Sequence, residues 1–273
     1  MNQTDASKRR LTVIITGAAS GIGAQTAQLL AAQGASIIAL DRVAPDFPVQ
    51  HFVPIDLMHA ESIDTAVAEI PAGIDALCNV AGVPGTLGAD RVAKVNYLGL
   101  RYLTENLVPK ITRNGAIVNV ASTAGQGWPQ RLPQHLELAR VNGFQQGLDW
   151  IERNPVSDAL AYPYFKEALI VWTMHRAATL RSQTGIRMNC VSPGPTDTPI
   201  LNDFRVSLGH ASVDDAIRRA GGVGRPEDIA PVIAFLTAPA SAWIVGANLM
   251  ADGGLVASRL LDMEVAVQPA AGK

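Results

Sequence analysis

The chain has 273 residues, of which 48% are hydrophobic and 17% charged, and Lys+Arg 22 against Asp+Glu 24 leaves a formal net charge of −2. This composition excludes a disordered or fibrous chain, and the length suits one α/β domain, which commonly runs to roughly 250 residues. A near-neutral balance lacks the basic excess of a protein that neutralises many phosphates, so no nucleic-acid partner is expected.

The opening segment, MNQTDASKRR, is polar and reads as a flexible tail over residues 1–10. The apolar run that follows meets Thr16 and Gly17 before it reaches the length of a signal-peptide core. No stretch approaches the roughly 18 apolar residues of a membrane span, so a cytoplasmic protein without a membrane partner is expected. Short apolar runs at 11–16, 36–40, 51–55, 74–79, 116–120, 187–191 and 248–251 predict seven strands. Helical periodicity predicts helices over 22–33, 62–70, 90–111, 162–182 and 226–237. Near-continuous apolar strands joined by helices predict an α/β, doubly wound (Rossmann) seven-stranded parallel sheet, with helices on both faces of a single domain. That domain spans 11–256, and residues 257–273 read as a loose carboxyl-terminal tail. Residues 126–161 interrupt the regular spacing with a connection far longer than the usual few residues.

Cys78 and Cys190 each lie in a short apolar run and are expected to be free core thiols. Neither they nor the five histidines show metal-ligand spacing, so no metal is expected and the histidines read as surface residues.

Gly17-Ala18-Ala19-Ser20-Gly21-Ile22-Gly23 leaves the first strand and opens the first helix. Gly17 permits a tight turn, Gly21 lets backbone N–H groups approach a pyrophosphate and Gly23 lets the helix pack close to the sheet, so this turn, with Ser20 and Ile22, predicts dinucleotide binding. Asp41 ends the second strand, where a carboxylate can accept both ribose hydroxyls and would repel a 2′-phosphate. NAD is therefore expected, with NADP kept open by the neighbouring Arg42. Asp56 and Leu57 at the end of the third strand, and Asn79, Ala81 and Gly82 at the end of the fourth, are further candidates at carboxyl ends of strands.

Tyr162 and Lys166 are four apart and share a helical face, whereas Tyr164 points elsewhere. Bringing a phenol from about 10 to about 7 needs roughly 4 kcal/mol. One cation about 4 Å away at an effective dielectric near 20 supplies on the order of that amount, so Lys166, helped by the positive nicotinamide ring, is sufficient in magnitude. Ser122 follows the fifth strand, where a hydroxyl can hold a substrate oxygen while the phenol moves the proton. Asn96 stands in a helical stretch for which it has poor propensity, which invites a functional role.

Taken together, Thr16-Gly-x3-Gly-x-Gly23, Asn79-x-Ala-Gly82, Asn96, Ser122, Tyr162-x3-Lys166, Ser192-Pro-Gly-Pro-Thr196 and Asp252-Gly-Gly254 resemble the short-chain dehydrogenase/reductase family in its single-domain form. The resemblance implies a tetrad. Asn96 would hold a water through its backbone carbonyl and Ser122 would bind the substrate oxygen. Tyr162 would act as acid or base, and Lys166 would hold the nicotinamide ribose and lower the phenol pKa. Pro193, Gly194, Thr196 and Thr198 would flank the nicotinamide. It also implies a homo-oligomer, tetramer or dimer, assembled through the carboxyl-terminal strand and the long helices. Gly82 and Asn96 stand closer together than in most members, so the helix usually found between them is expected to be trimmed or lost. The long stretch from Ser122 to Tyr162 is similar to the bacterial subgroup containing 3α-hydroxysteroid dehydrogenase and coniferyl-alcohol dehydrogenase.

The reading is an NAD-dependent oxidoreductase passing hydride between nicotinamide and a small hydrophobic alcohol or carbonyl compound, steroid-like or aromatic. A noncatalytic NAD-binding regulator and a nucleotide-sugar epimerase are the alternatives. The intact Ser122, Tyr162, Lys166 set opposes the first, and the few residues after Lys166 oppose the second. Within 126–161, Leu136, Leu138, Val141, Phe144, Leu148, Trp150 and Ile151 form an apolar stripe that needs a partner. A substrate lid is expected, with burial against the body of the domain or a neighbouring subunit as the other outcome.

Overall fold

Parallel strands buried on both faces must alternate their side chains between two cores, and that alternation organises the computed structural model, which describes residues 10–267. The strands are β1 (Thr12–Thr16), β2 (Ser36–Asp41), β3 (His51–Pro54), β4 (Ile74–Asn79), β5 (Ile111–Val120), β6 (Arg187–Pro193) and β7 (Asn248–Ala251). They form one seven-stranded sheet in the order β3-β2-β1-β4-β5-β6-β7. Every pairing is parallel. Val13 and Ile15 enter one core while Ile14 between them enters the other, as the period of two requires. The helices α1 (Gly21–Ala32), α2 (Ala60–Glu69), α3 (Ala89–Ala93) and α4 (Leu100–Leu107) are followed by α5 (Leu132–Arg140), α6 (Phe144–Arg153) and α7 (Asp158–Thr184). After β6 come α8 (Leu201–Leu208), α9 (His210–Arg219), α10 (Pro226–Thr237) and α11 (Leu255–Val267). α1 and α10 contribute Ala27, Leu30, Ile229 and Ile233 to one core, and α2, α4 and α7 contribute Ile63, Leu103 and Phe165 to the other. The strand order reverses between β1 and β4, which opens a crevice at their carboxyl ends.

The structure corrects several expectations. A single helix over 90–111 does not form. α3 runs into a π-helical stretch, Lys94–Gly99, before α4, and a 3₁₀ turn at Val108–Lys110 precedes β5. At Gly99 an added Cβ would stand 2.0 Å from the Leu57 carbonyl oxygen, so the helix passes the β3–α2 connection at backbone contact. Pro109, with no N–H to donate, ends the helical run. Between Gly82 and Asn96 stand the turn Gly85–Leu87, the five-residue α3 and the start of the π-helical stretch. Residues 257–267 are helical as part of α11, not a loose tail. The proposed loose residues 1–9 and 268–273 lie outside those described. α8 and α9 went unforeseen because the polar residues among them hide their periodicity.

The insertion does not close over the crevice. Leu138 and Trp150 are buried and Phe144 is nearly so, and all three join the core that covers α4 and α7. Phe144 meets the Tyr102 ring edge-on at 5.9 Å between centroids. Arg101 Nη1 donates to the Leu138 carbonyl at 3.0 Å, and its guanidinium lies 5.9 Å over the Trp172 ring. Packing therefore takes the stripe that was expected to meet substrate.

His135 is likewise not a surface residue: it is fully buried and its Nε2 bonds Glu167 at 2.8 Å. His51, His59, His175 and His210 are exposed. Cys78 and Cys190 are free and buried. They face opposite cores with β5 between their strands, farther apart than the roughly 7 Å a disulfide tolerates.

Phe144→Ala should lower stability by about 3–5 kcal/mol, the usual cost of emptying an aromatic site in a core. Chemical denaturation will show that loss, while steady-state KM for alcohol or carbonyl compounds stays within about twofold.

Candidate active site

A cavity of about 460 Å³ occupies the carboxyl ends of the central strands. Its floor begins with contacts between β1 and β4. Thr16 Oγ1 accepts the N–H groups of Val80 and Ala81 at 3.0 and 3.1 Å, which draws the chain after β4 over the first turn. A Cβ at Gly17, whose φ is +69°, would meet Ala81 Cα at 2.8 Å. A Cβ at Gly23 would stand 2.0 Å from the Gly17 carbonyl oxygen. Only glycine allows this turn and helix to approach so closely. α1 then points its amino terminus at the cavity with no side-chain cap and no acid in its first turn. These unsatisfied N–H groups fit an anionic phosphate linkage, so the cradle suits a dinucleotide.

Of the residues expected at the cofactor, Gly17, Ser20, Gly21, Ile22, Gly23, Ala81, Gly82, Pro193, Gly194, Thr196 and Thr198 line the cavity with Tyr162 and Lys166. Asp41 lies just beyond it. Its Oδ2 accepts the Ala19 N–H at 3.0 Å and its Oδ1 the Arg42 N–H at 2.7 Å, which fixes the carboxylate beside the glycine turn. Each oxygen retains acceptor capacity. Arg42 itself is exposed. Asp56 accepts the Met58 N–H at 2.9 Å and stays at the sheet edge, outside the cavity lining.

Two side chains are corrected. Leu57 is buried in the core. Asn79 is fully buried, and its Nδ2 donates to Thr104 Oγ1 and Asn119 Oδ1, both at 2.8 Å. Asn79 thus joins β4 to β5 and α4 instead of facing a ligand.

Asn96 is also fully buried, on the π-helical stretch. Its Oδ1 accepts the Val83 N–H at 2.8 Å and its Nδ2 donates to the Val83 carbonyl at 2.9 Å. The side chain works as a strap for the loop after β4, a role that spacing alone could not reveal.

Ser122, Tyr162 and Lys166 meet on the opposite wall. Ser122 Oγ accepts the Ala124 N–H at 3.1 Å, which fixes the turn after β5. Lys166 Nζ donates to the Val120 carbonyl at 2.7 Å and stands 5.8 Å from the Tyr162 ring centroid. Burial pulls the Lys166 ammonium down to about 8, against the opposing influence of Cys190. Burial pushes the Tyr162 phenol up to about 12, and its hydrogen bond with Ser122 opposes that rise. Burial and the Ser122 hydrogen bond thus act on the phenol in opposite directions, while the Lys166 ammonium is held on the Val120 carbonyl. Tyr164 points away, its ring 4.6 Å from that of His135.

The outer wall was not foreseen. Leu201, Phe204 and Leu208 of α8 and Val213 of α9 face the cavity, with the Phe204 ring 4.8 Å from the Tyr162 ring. The spacing of Leu201, Phe204 and Leu208 is the one sequence signal that could have found them. From the insertion, only Gln126 and Gly127 reach the lining.

Residues 11–133 match the family model described as short chain dehydrogenase, and residues 151–256 match that described as Enoyl-(Acyl carrier protein) reductase. The coniferyl-alcohol dehydrogenase of Pseudomonas sp. (strain HR199 / DSM 7063) is 47% identical over 246 residues, covering 90% of this chain and 96% of that protein. The chain belongs to the short-chain dehydrogenase family. It is an oxidoreductase of the short-chain alcohol dehydrogenase type. The 3-alpha-hydroxysteroid dehydrogenase/carbonyl reductase of Comamonas testosteroni is 30% identical over 255 residues, 89% of this chain and 95% of that protein. The solved 3-alpha-hydroxysteroid dehydrogenase from Pseudomonas sp. B-0831, complexed with NADH, superimposes with a TM-score of 0.75 at 28% identity, over 94% of this chain and 99% of that one. Among the described residues no helix is long and apolar enough to cross a membrane, and no group of His, Cys, Asp and Glu could hold a metal ion.

Asn96→Ala should leave the Val83 N–H and carbonyl without partners, at about 1–3 kcal/mol for each buried group. Thermal denaturation is expected to report a lower Tm, and Asn96→Asp, which keeps the acceptor but not the donor, should fall between the two.

Proposed function

We propose that this protein is an NAD-dependent dehydrogenase/reductase for small hydrophobic alcohols, with an aromatic alcohol as the leading substrate class. The observation that carries the reading is the meeting of Ser122, Tyr162 and Lys166 on one wall of a cavity whose outer wall is apolar. The 47% identity to a coniferyl-alcohol dehydrogenase supports the aromatic class.

A bound nicotinamide dinucleotide would supply the hydride acceptor or donor. Gly17–Gly23 and the amino terminus of α1 would hold its phosphates, and Lys166, beside Gly82 in the cavity lining, would hold the nicotinamide ribose. In alcohol oxidation the Ser122 hydroxyl holds the substrate oxygen and Tyr162 Oη takes its proton. In carbonyl reduction Tyr162 Oη returns a proton to the same atom. Oxidation requires the phenolate, so its rate rises with pH; reduction requires the phenol and does not. The Ser122 hydrogen bond lowers the phenol pKa, and so moves the oxidation limb toward neutral pH.

A homo-oligomer belongs to this reading. β7 is an edge strand with Trp243 close by in sequence and 94% exposed, which supports assembly there. α5 and α6 cover part of the long-helix face and reduce what it can offer a second copy.

Tyr162→Phe should retain NADH binding by fluorescence titration but lose turnover by about 10²- to 10⁴-fold, the usual contribution of a general acid–base group. Tyr164→Phe is expected to keep most activity; a larger loss there would move the proton-transfer role away from Tyr162.

Asp41 would face a 2′-phosphate as a like charge, so kcat/KM should favour NAD over NADP by about tenfold or more. Asp41→Ala is expected to narrow that ratio mainly by weakening NAD, and a wild-type preference for NADP would refute the role.

A further inference from the structure

The residue after Lys166 is the buried acid Glu167, only 1% exposed, and the proposed chemistry does not use it. Its side chain leaves α7 beneath the 3₁₀ stretch Thr123–Arg131, which carries the chain from Ser122 into the insertion. Arg131 grips the carboxylate with a two-pronged contact, Nε to Oε2 at 2.9 Å and Nη2 to Oε1 at 2.7 Å. His135 Nε2 bonds Oε2 at 2.8 Å. An ionised carboxylate only accepts, so the imidazole carries its proton on Nε2, and buried Nδ1 has no partner in the structure. Burial alone would raise the Glu167 pKa, but the hydrogen bonds from His135 and Arg131 and their charges hold it below the usual carboxylate value.

Two glycines show how tightly this segment lies on α7. A Cβ at Gly125 would meet the Lys166 carbonyl carbon at 2.9 Å and the Glu167 nitrogen at 3.1 Å. A Cβ at Gly127 would stand 2.6 Å from Glu167 Oε1. Gly127, which lines the cavity beside Gln126, is thus backed directly by Glu167, and Ser122 immediately precedes the same stretch. The segment spans from Ser122, fixed by β5, to Arg131, fixed by Glu167, and the register of both ends against α7 sets where Ser122 stands relative to Tyr162.

We infer that Glu167 is a positioning residue for hydride transfer: through Arg131 and His135 it clamps residues 122–131 onto α7 and so holds Ser122 in hydrogen-bonding register with Tyr162. This inference rests on the Ser122–Tyr162 reading of the site. The groups that face Glu167 are Arg131 and His135 from the insertion, with the Tyr164 ring of α7 tilted against His135. Those that face Tyr162 are Ser122 and Lys166, with uncharged Phe204 on its outer side and Arg259 on the same cavity wall.

The test is steady-state kinetics of the full-length protein across pH in the alcohol-oxidising direction, beside NADH affinity by fluorescence and thermal denaturation. Glu167→Gln is expected to lower kcat about tenfold or more while NADH affinity stays within about twofold, since a small misplacement of a reacting group is costly and the glycine cradle is untouched. Its oxidation limb should move to higher pH by about half a unit or more, because Ser122 no longer stabilises the phenolate. Arg131→Lys, which keeps the charge but loses the fork, should shift kcat and the limb in the same direction by less, and it carries the test if Glu167→Gln does not fold. A lowered Tm with kcat and the pH limb unchanged, in whichever variant folds, would make the cluster an anchor for the insertion only and overturn the inference. A wild-type protein that transfers no hydride to or from any alcohol or carbonyl compound would remove the underlying reading together with it.

Discussion

Burying an ammonium ion without a carboxylate beside it is expensive, and that cost sets the terms for the whole site. Lys166 is 4% exposed, and its ammonium leans on the Val120 carbonyl at the end of β5. The bond ties α7 to the sheet where the turn to Ser122 begins. Neither element can slide without stranding the charge. Tyr162, one helical turn before the lysine, and Ser122, two residues beyond the carbonyl, flank this tie. Gly125 is the neighbour that lets it happen, since a side chain there would press on the helix backbone at Lys166.

Around that tie the doubly wound topology does the rest. The reversal of strand order between β1 and β4 leaves their carboxyl ends uncovered, and the Gly17–Gly23 turn brings α1 to the edge of the opening with its N–H groups free. The side chains of Asn79 and Asn96 hold the fold, one as a bridge from β4 to Asn119 of β5 and Thr104 of α4, the other as a strap on the Val83 backbone. A buried amide needs partners for its donors and acceptors, and for Asn96 the loop backbone after β4 supplies both.

The insertion and the segment after β6 divide their roles unexpectedly. The apolar stripe of 132–153 finds its partner in α4 and α7, where Leu138, Phe144 and Trp150 complete a core. α8 and α9 provide the apolar wall of the cavity. The insertion reaches the site only at its start, through Gln126 and through Gly127, which lies against Glu167.

Local chemistry determined much of this before any coordinates. Seven short apolar runs separated by helical periods admit little but a parallel sheet covered on both faces, because strands buried on two sides cannot show polar alternation. Glycines at 17, 21 and 23 mark a turn that no other residue could make at such separations, and the Tyr162–Lys166 spacing follows from 3.6 residues per turn. Partners distant in sequence lay beyond such reasoning. Nothing near His135 or Arg131 announces Glu167, since 32 residues separate His135 from it and 36 separate Arg131. An apolar stripe states that it needs covering without naming what covers it. Burial of Tyr162 and Lys166 moves each pKa by an amount that depends on how much water the assembled fold excludes. Periodicity and turn chemistry are properties of neighbours along the chain, whereas desolvation and complementary packing exist only once distant segments have met.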